Sequence, residues 1–433
     1  MILEKRNYYF KQLFPVILGF FASTIVFREF SAIILAILFL VCLFFYKELR
    51  FCQKKRIEYI LIATPLCLNI IFFWNNESFF PVFKELEKYT AFLILPIMIL
   101  FVKREINFNR IIKSFSFFFT SIIFLGFLTY LIFNFESFLS YLNGDLVWKM
   151  GYEIAGSMGV HAPALNMHIS FLCFVNLHLF FRSFTKDSTK LYKLSRALFL
   201  VFSVLILLII NTRIAIFTFF SGLTIYILYF TFLNKKPLKL NILIVFVLVS
   251  LLIGFLKIFP YTIEKFTHKT FNNIEMIGKI DQIDKPEEKI YGSLVTRATV
   301  WQMVLRANSS DFVFGKGVAS AYPSLFETYK KFDQKFLLKY KYKVHNQFMD
   351  FYLKFGIFGL IFTAIFFLNI LRIALNTKSS CILFFFFLFF SVNMIDDFLI
   401  RYDGIAFSAF WITVFSKYMF DQRSQISNIS SDE

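Results

Sequence analysis

Apolar stretches of roughly helix length follow one another along this chain, and only one long segment, residues 260–347, interrupts them with charge. About 20 apolar residues carry an α-helix across the hydrocarbon core of a bilayer, where each backbone N–H and C=O must be satisfied within the segment. With 58% hydrophobic residues, 67 of its residues Phe and only 17% charged, the chain has far more apolar surface than a soluble core can hide. The bilayer is therefore the expected solvent for most of it.

Spans are expected at 12–27, 30–46, 57–74, 89–102, 111–135, 162–181, 197–212, 214–233, 240–259, 348–371, 381–398 and 404–420, about twelve helices. No small-residue cleavage site follows the apolar run from Gln12 to Phe27, so that run is expected to stay as the first anchor. The short connections alternate in charge. One set is basic, with Lys47, Arg50, Lys54, Lys55 and Arg56, then Lys103, Arg104, Arg110 and Lys113, then Arg182, Lys186, Lys190, Lys193 and Arg196, then Lys235, Lys236 and Lys239; the other set is nearly bare. The positive-inside rule then puts both termini in the cytoplasm and the 260–347 segment outside.

The net charge of +18 is spread through these connections and the long loop, a pattern that argues against a nucleic-acid partner. Cys42, Cys52, Cys67, Cys173 and Cys381 all lie in or beside apolar segments, so neither a disulfide framework nor a thiolate metal site is expected. No His-Glu-x-x-His and no Asp-x-Asp is present, and no metal or cofactor is expected.

Polar residues against this background define the candidate chemistry. Arg213 stands between two apolar blocks in Ile210-Asn211-Thr212-Arg213-Ile214, either as an intramembrane functional charge or as an interfacial arginine snorkelling to head groups. Arg297, in Thr296-Arg297-Ala298-Thr299-Val300-Trp301, is placed near the start of a short helix, where it serves an anion or is a surface charge. Gly315-Lys316-Gly317 reads as a tight turn and lacks P-loop spacing. Lys331, Lys335 and Lys339, at i, i+4 and i+8, are expected on one helical face, attracted to anionic lipid or simply solvated. His345 stands where the loop meets the next apolar block, suited to proton transfer near neutral pH or to a capping role. His161 and His168 are seven residues apart, a loose polar cluster roughly on one face. Asp396 and Asp397 close an apolar block, and Arg401 is the expected ion-pair partner, with help in positioning an acceptor as the second reading.

Taken in order, Asn211-Thr212-Arg213, then Thr296-Arg297 with Trp301, then Phe314-Gly315-Lys316-Gly317-Val318, then His345-Asn346-Gln347-Phe348 and Lys354-Phe355-Gly356-Ile357-Phe358-Gly359-Leu360 resemble the O-antigen ligase and polymerase superfamily. The likeness runs from about the sixth expected helix to the end, with its core at roughly 290–360. It implies an all-α polytopic inner-membrane glycosyltransferase with about twelve transmembrane helices and one large, partly helical periplasmic loop. The implied organisation is nine helices in 1–259, a periplasmic loop carrying the chemistry in 260–347, three helices in 348–420 and a cytoplasmic tail in 421–433.

The resemblance further implies an undecaprenyl-diphosphate-linked glycan donor, an acceptor hydroxyl such as that of a lipid A core sugar, membrane lipids around both, and no metal or cofactor. Arg213 and Arg297 would stabilise the diphosphate, and His345 would act as general base. Asn346, Lys316, Lys339, Asp396, Arg401 and His161 complete the candidate substrate-binding set. The Ile395-Asp396-Asp397-Phe398 segment more often opens with Glu in that family. A repeat-unit polymerase shares the motif set. A lipid-linked sugar transporter or flippase needs a polar path through several helices and often inverted repeats, and no repeat is visible here.

Overall fold

The computed structural model describes residues 2–44, 49, 52–76, 78–185, 188–233, 238–290 and 293–429. Among these residues the secondary structure is helical, with one isolated bridge between Leu49 and Val102. The first half runs through α1 (Ile2–Thr24), α2 (Arg28–Phe44), α3 (Gln53–Ile62), α4 (Thr64–Ile71), α5 (Phe79–Lys88), α6 (Thr90–Ile99), α7 (Phe108–Phe133), α8 (Phe135–Leu142), α9 (Val147–Ser157) and α10 (Ala162–Thr185). Next come α11 (Lys190–Ile210), α12 (Arg213–Leu233) and α13 (Leu238–Ile258). The polar segment folds into short pieces, α14 (Tyr261–Phe266), α15 (His268–Phe271), α16 (Pro286–Lys289), α17 (Leu294–Ala307), α18 (Gly317–Lys331) and α19 (Lys335–Lys339). The chain then returns to long helices in α20 (Gln347–Thr377), α21 (Ser380–Ile395) and α22 (Tyr402–Ile429).

Four described helices are long and apolar enough to cross a membrane: Phe108–Phe133, Ala162–Phe184, Lys190–Ile210 and Gln347–Thr377. Arg213–Ile227, Val245–Ile258 and Ser380–Ile395 are shorter apolar helices. The stretches expected as spans at 57–74 and 89–102 are not long single helices. The first breaks at Ala63, because Pro65 enters at the first turn of α4 with no N–H to continue the ladder of α3. The second is the ten-residue α6, with Pro96 inside it. The tail expected from Asp421 continues as helix to Ile429. The basic residues Lys47, Arg50, Lys186, Lys235 and Lys236 lie outside the described residues.

Helix α10 is the hub. It packs on α7, α9, α11, α12 and α21, and is buried along most of its apolar length. Its neighbours meet it through aromatic rings, such as Phe174 stacked on Phe384 at 3.9 Å and Phe171 edge-on to Trp411 at 4.9 Å. At the far end of the bundle from His345, buried Glu58 pairs with Arg372 and accepts hydrogen bonds from Asn369 (3.2 Å) and Ser416 (2.9 Å), fixing α3 to α20 and α22.

The polar segment has its own core, built from Val295, Val300, Met303 and Val304 of α17 against Ala321, Leu325 and Tyr329 of α18, Phe336 and Leu337 of α19, and Leu353 of α20. Lys331 closes α18 and Lys335 opens α19, so the expected continuous lysine face is interrupted at Phe332-Asp333-Gln334, where Asp333 is left-handed. The Gly315-Lys316-Gly317 turn docks on a kink in α20. Gly356 has φ 61° and ψ −146° there, and a Cβ on it would lie 2.3 Å from the Val313 carbonyl oxygen. Asn75 donates to the carbonyls of Phe314 (3.0 Å) and Gly315 (3.1 Å), fastening the turn to the end of α4. Gly356→Ala is therefore expected to destabilise the protein by about 1–3 kcal/mol or more. Gly254→Ala, at an open helical position in α13, is expected to be neutral or slightly stabilising. Thermal melts of the two variants in one detergent compare them directly.

Candidate active site

The segment His345-Asn346-Gln347 enters α20 and is bonded, residue by residue, to the chain between α21 and α22. His345 Nδ1 lies 3.2 Å from Asp396 Oδ1 and 3.8 Å from Asp397 Oδ1. Asn346 donates to the Met394 carbonyl (2.8 Å) while its own carbonyl oxygen caps α20 by accepting from Met349 N–H (3.1 Å). Gln347 accepts from Leu399 N–H (3.0 Å). The expected pairing of Asp396 with Arg401 is thus replaced by pairing with His345. Arg401 acts on Asp396 only through space, and its guanidinium donates to His161 Nδ1 at 2.7 Å.

The polar segment holds His345 from the other side. Trp301 of α17 donates to the Val344 carbonyl (3.0 Å), and Tyr329 of α18 donates to the Tyr342 carbonyl (3.0 Å). His345 itself is left-handed, with φ 49°, a conformation uncommon for a residue with a Cβ and sustained here by bonds on both flanks. With Nδ1 facing a carboxylate, the proton on the neutral ring is assigned to Nδ1 and Nε2 is left as the basic nitrogen.

Arg297 occupies the first turns of α17, capped by the Ser293 side chain, which accepts from Thr296 N–H. Burial pushes its guanidinium below its ordinary value, opposed by the negative charges of Asp396 and Asp397. Arg213 opens α12, at a break created by left-handed Asn211. Asn166 of α10 donates to the Leu207 carbonyl (3.2 Å), which also accepts from Asn211 N–H (3.3 Å), and to Thr212 Oγ1 (2.7 Å). Arg213 donates to Thr270 Oγ1 (2.6 Å) and the Lys265 carbonyl (3.4 Å), and Lys265 donates back to the Asn211 carbonyl. The two guanidiniums are close enough to act on one another electrostatically.

Burial and the neighbouring Asp396 charge push the Asp397 carboxyl up to about 7. Asp396 is partly buried, which opposes ionisation, but the hydrogen bond and charge of His345 prevail and hold it below the usual carboxylate range. Burial and the positive charge of Arg401 both lower His161. An Nδ1 that accepts from Arg401 leaves its proton on Nε2. Among the described residues His345, Asp396 and Asp397 offer three potential metal-ligand atoms within 4.8 Å of one another, a grouping that no spacing in the sequence disclosed. Their charge already faces Arg297 and Arg401.

Other expected site residues lie elsewhere. Lys316 is paired with Asp311 at the exposed turn, and Lys339 with Glu287 at 2.8 Å on the outer surface. His168 does not share a cluster with His161. It is fully buried between the rings of Phe119 and Phe407, with neither ring nitrogen hydrogen-bonded.

The charges that sequence reasoning missed lie behind the site. Buried Asp350 of α20 accepts from Tyr322 (2.7 Å) and pairs with buried Lys354 (2.8 Å), which reaches Glu85 of α5 at 3.6 Å. The i, i+4 spacing of Asp350 and Lys354 in an apolar block was the available signal.

The raised Asp397 carboxyl makes stability depend on pH with a definite sign. A raised carboxyl favours the folded state fully below its unfolded value of about 4. That contribution is lost as pH rises through about 7. Asp397→Asn, which cannot ionise, is therefore expected to raise the melting temperature at pH 8 relative to wild type and to change it little at pH 4.

Residues 198–364 match the family model described as O-antigen ligase. Arg213, Arg297 and His345 fall inside that stretch, while His161, Asp396, Asp397 and Arg401 fall outside it. No curated protein matches the chain. With its apolar helices and this match, the chain is a membrane protein whose residues 198–364 are similar to the O-antigen ligase family.

Proposed function

We propose that the protein is a glycosyltransferase that moves a glycan en bloc from undecaprenyl diphosphate to an acceptor hydroxyl, such as that of a lipid A core sugar, at the periplasmic face of the inner membrane. The observation that carries this reading is the placement of His345 against Asp396, with the partly buried cation Arg297 acting on the same carboxylates through space.

In this reading His345 Nε2 takes the proton of the acceptor hydroxyl, and Asp396 holds the imidazole and stabilises the imidazolium that forms. The acceptor oxygen bonds to the anomeric carbon as the bond to the diphosphate oxygen breaks, which inverts configuration. The departing undecaprenyl diphosphate carries the electron pair away. Arg297 and Arg213 neutralise it with permanently charged, forked donors, and the chemistry needs no metal. The helices around Arg213 would hold the lipid tail and the polar segment would cover the reaction from outside, with both termini cytoplasmic.

His345→Ala is expected to lower transfer by about 10²–10⁴-fold. Arg297→Lys is expected to restore little of the activity lost in Arg297→Ala, because a point charge does not replace the fork. An envelope glycolipid gel of a strain lacking the gene, complemented by wild type or by His345→Ala, reads the reaction in the cell. Loss of all glycan-capped core together with polymer left on the carrier is the expected result. Core capped with single repeat units, with only the long ladder missing, would replace ligation by repeat-unit polymerisation. Full capping by His345→Ala would remove the proposed base.

A further inference from the structure

Helix α20 divides into two unlike parts at its Gly356 kink. From Gln347 to Gly356 no residue is exposed, and this part holds the buried charges Asp350 and Lys354. From Ile357 onward the outward positions are apolar, with Ile357, Phe358, Ile361, Ile365 and Leu368 exposed. The stretch from Ile357 to Thr377 measures roughly 30 Å at 1.5 Å per residue, the thickness of the hydrocarbon core. The second part alone is thus long enough to cross. The first part keeps its two charges inside protein, where contact with hydrocarbon would be costly.

A plate of exposed aromatic rings meets the kink. The Phe312 carbonyl accepts from Ile357 N–H (2.8 Å), and Phe314 is stacked on Phe358 at 5.8 Å. Phe314 also receives Trp74 edge-on at 5.5 Å. Beside Trp74, Phe73 is stacked on Phe79 at 5.0 Å and edge-on to Phe83 at 5.6 Å. Trp74, Phe79, Phe80, Phe83 and Phe314 are all exposed, Phe80 to 69% and Trp74 to 62%.

Helix α5 carries three of these rings and turns Val82 and Glu85 inward, where Glu85 lies 3.6 Å from Lys354. Lys84, Glu87 and Lys88 are exposed on its later turns, with Lys84 Nζ 4.8 Å from the Phe80 ring centre. Ten residues with that much charge cannot cross a bilayer. Rings on one face and lysines beside them suit a helix lying in the head-group boundary, where the rings sink in and the ammonium groups reach outward.

We propose that the plate is a docking surface for the bilayer interface. Helix α5 lies along the boundary on the side of the polar segment, with its rings, Trp74 and Phe314 seated among head groups and upper acyl chains. Hydrocarbon then begins at Gly356 and not at Phe348, the start expected from the apolar run. The occupant is lipid because the plate is continuous, through Phe314 and Phe358, with the exposed apolar face of α20. His345 and its join stand on the polar-segment side of that boundary, within protein. None of this depends on the transferase reading.

The test uses the full chain in phosphatidylcholine nanodiscs whose acyl chains carry bromine either near the head group or near the bilayer centre. The Trp74 emission is the difference between wild type and Trp74→Phe. Shallow bromines are expected to quench it at least about twofold more than deep ones, and aqueous iodide to quench it little. A second measurement places spin labels on Phe80→Cys, Phe358→Cys and Leu368→Cys after the five native cysteines are replaced by serine, and reads depth from oxygen against a water-soluble nickel complex. Phe80 and Phe358 are expected within about 5 Å of one another in depth. Leu368 is expected about 10–15 Å below Phe358.

Quenching of Trp74 by iodide without quenching by bromine overturns the proposal and gives the plate to water or to another protein. Stronger quenching by the deep bromines overturns it as well, since the plate would then lie in hydrocarbon. A Phe358 label about 15 Å deeper than the Phe80 label returns the boundary to the start of α20. If the cysteine-free protein melts more than about 5 °C below wild type, the Trp74 measurement decides alone, because it needs only one conservative substitution at an exposed ring.

Discussion

The join between the start of α20 and the 394–399 segment is the connection on which the rest of the site depends. Three consecutive residues make it by three different chemistries: a histidine on a carboxylate, an amide that caps one helix while donating to another segment, and a buried amide that accepts from a backbone N–H. In a low-dielectric setting each of these groups would be costly if left unpaired. The join therefore tolerates little variation in register. It also explains why the motif is a run of polar residues at the mouth of an apolar helix: Asn346 and Gln347 secure the backbone, and the imidazole between Val344 and Asn346 is consequently held in a left-handed position it would not otherwise favour.

Arg213 and Arg297 are held by different routes. Arg297 rides on α17, whose apolar face packs in the core of the polar segment and whose Trp301 grips the residue before His345. Arg213 is held at a helix break, where Asn166 bonds the Leu207 carbonyl and the Thr212 hydroxyl and α14 and α15 supply Lys265 and Thr270. One arginine thus belongs to the polar segment and the other to the membrane helices, and the pieces after Pro260 connect the two.

Much of this arrangement was legible in the sequence because the background is so apolar. In a chain with only 17% charged residues, an arginine inside an apolar block or a histidine at the edge of one stands out by cost alone. The same logic applied to Asp350 and Lys354, which were passed over because they sit within a block that was assigned as a span. What could not be read was pairing. Asp396 and Arg401 are five residues apart and invited an ion pair, yet the chain turns between them, and each finds a partner remote in sequence, His345 and His161. The lysine series failed for a local reason, since left-handed Asp333 ends the helix that its spacing assumed.

Charge balance explains why the cluster can be buried without collapsing. Asp396 is held ionised by His345, and Asp397 is held closer to neutral by burial and by Asp396, so the pair carries less than two negative charges near neutral pH. The charges of Arg297 and Arg401 both act on that reduced charge. Because Asp397 is held toward neutral, it offsets less of the Arg297 charge than an ionised carboxylate would. Arg401 spends its donor on His161, and its charge acts through space on Asp396 and Asp403. Two adjacent carboxylates with unequal proton affinities thus keep the centre of the cluster closer to charge balance than two ionised ones would.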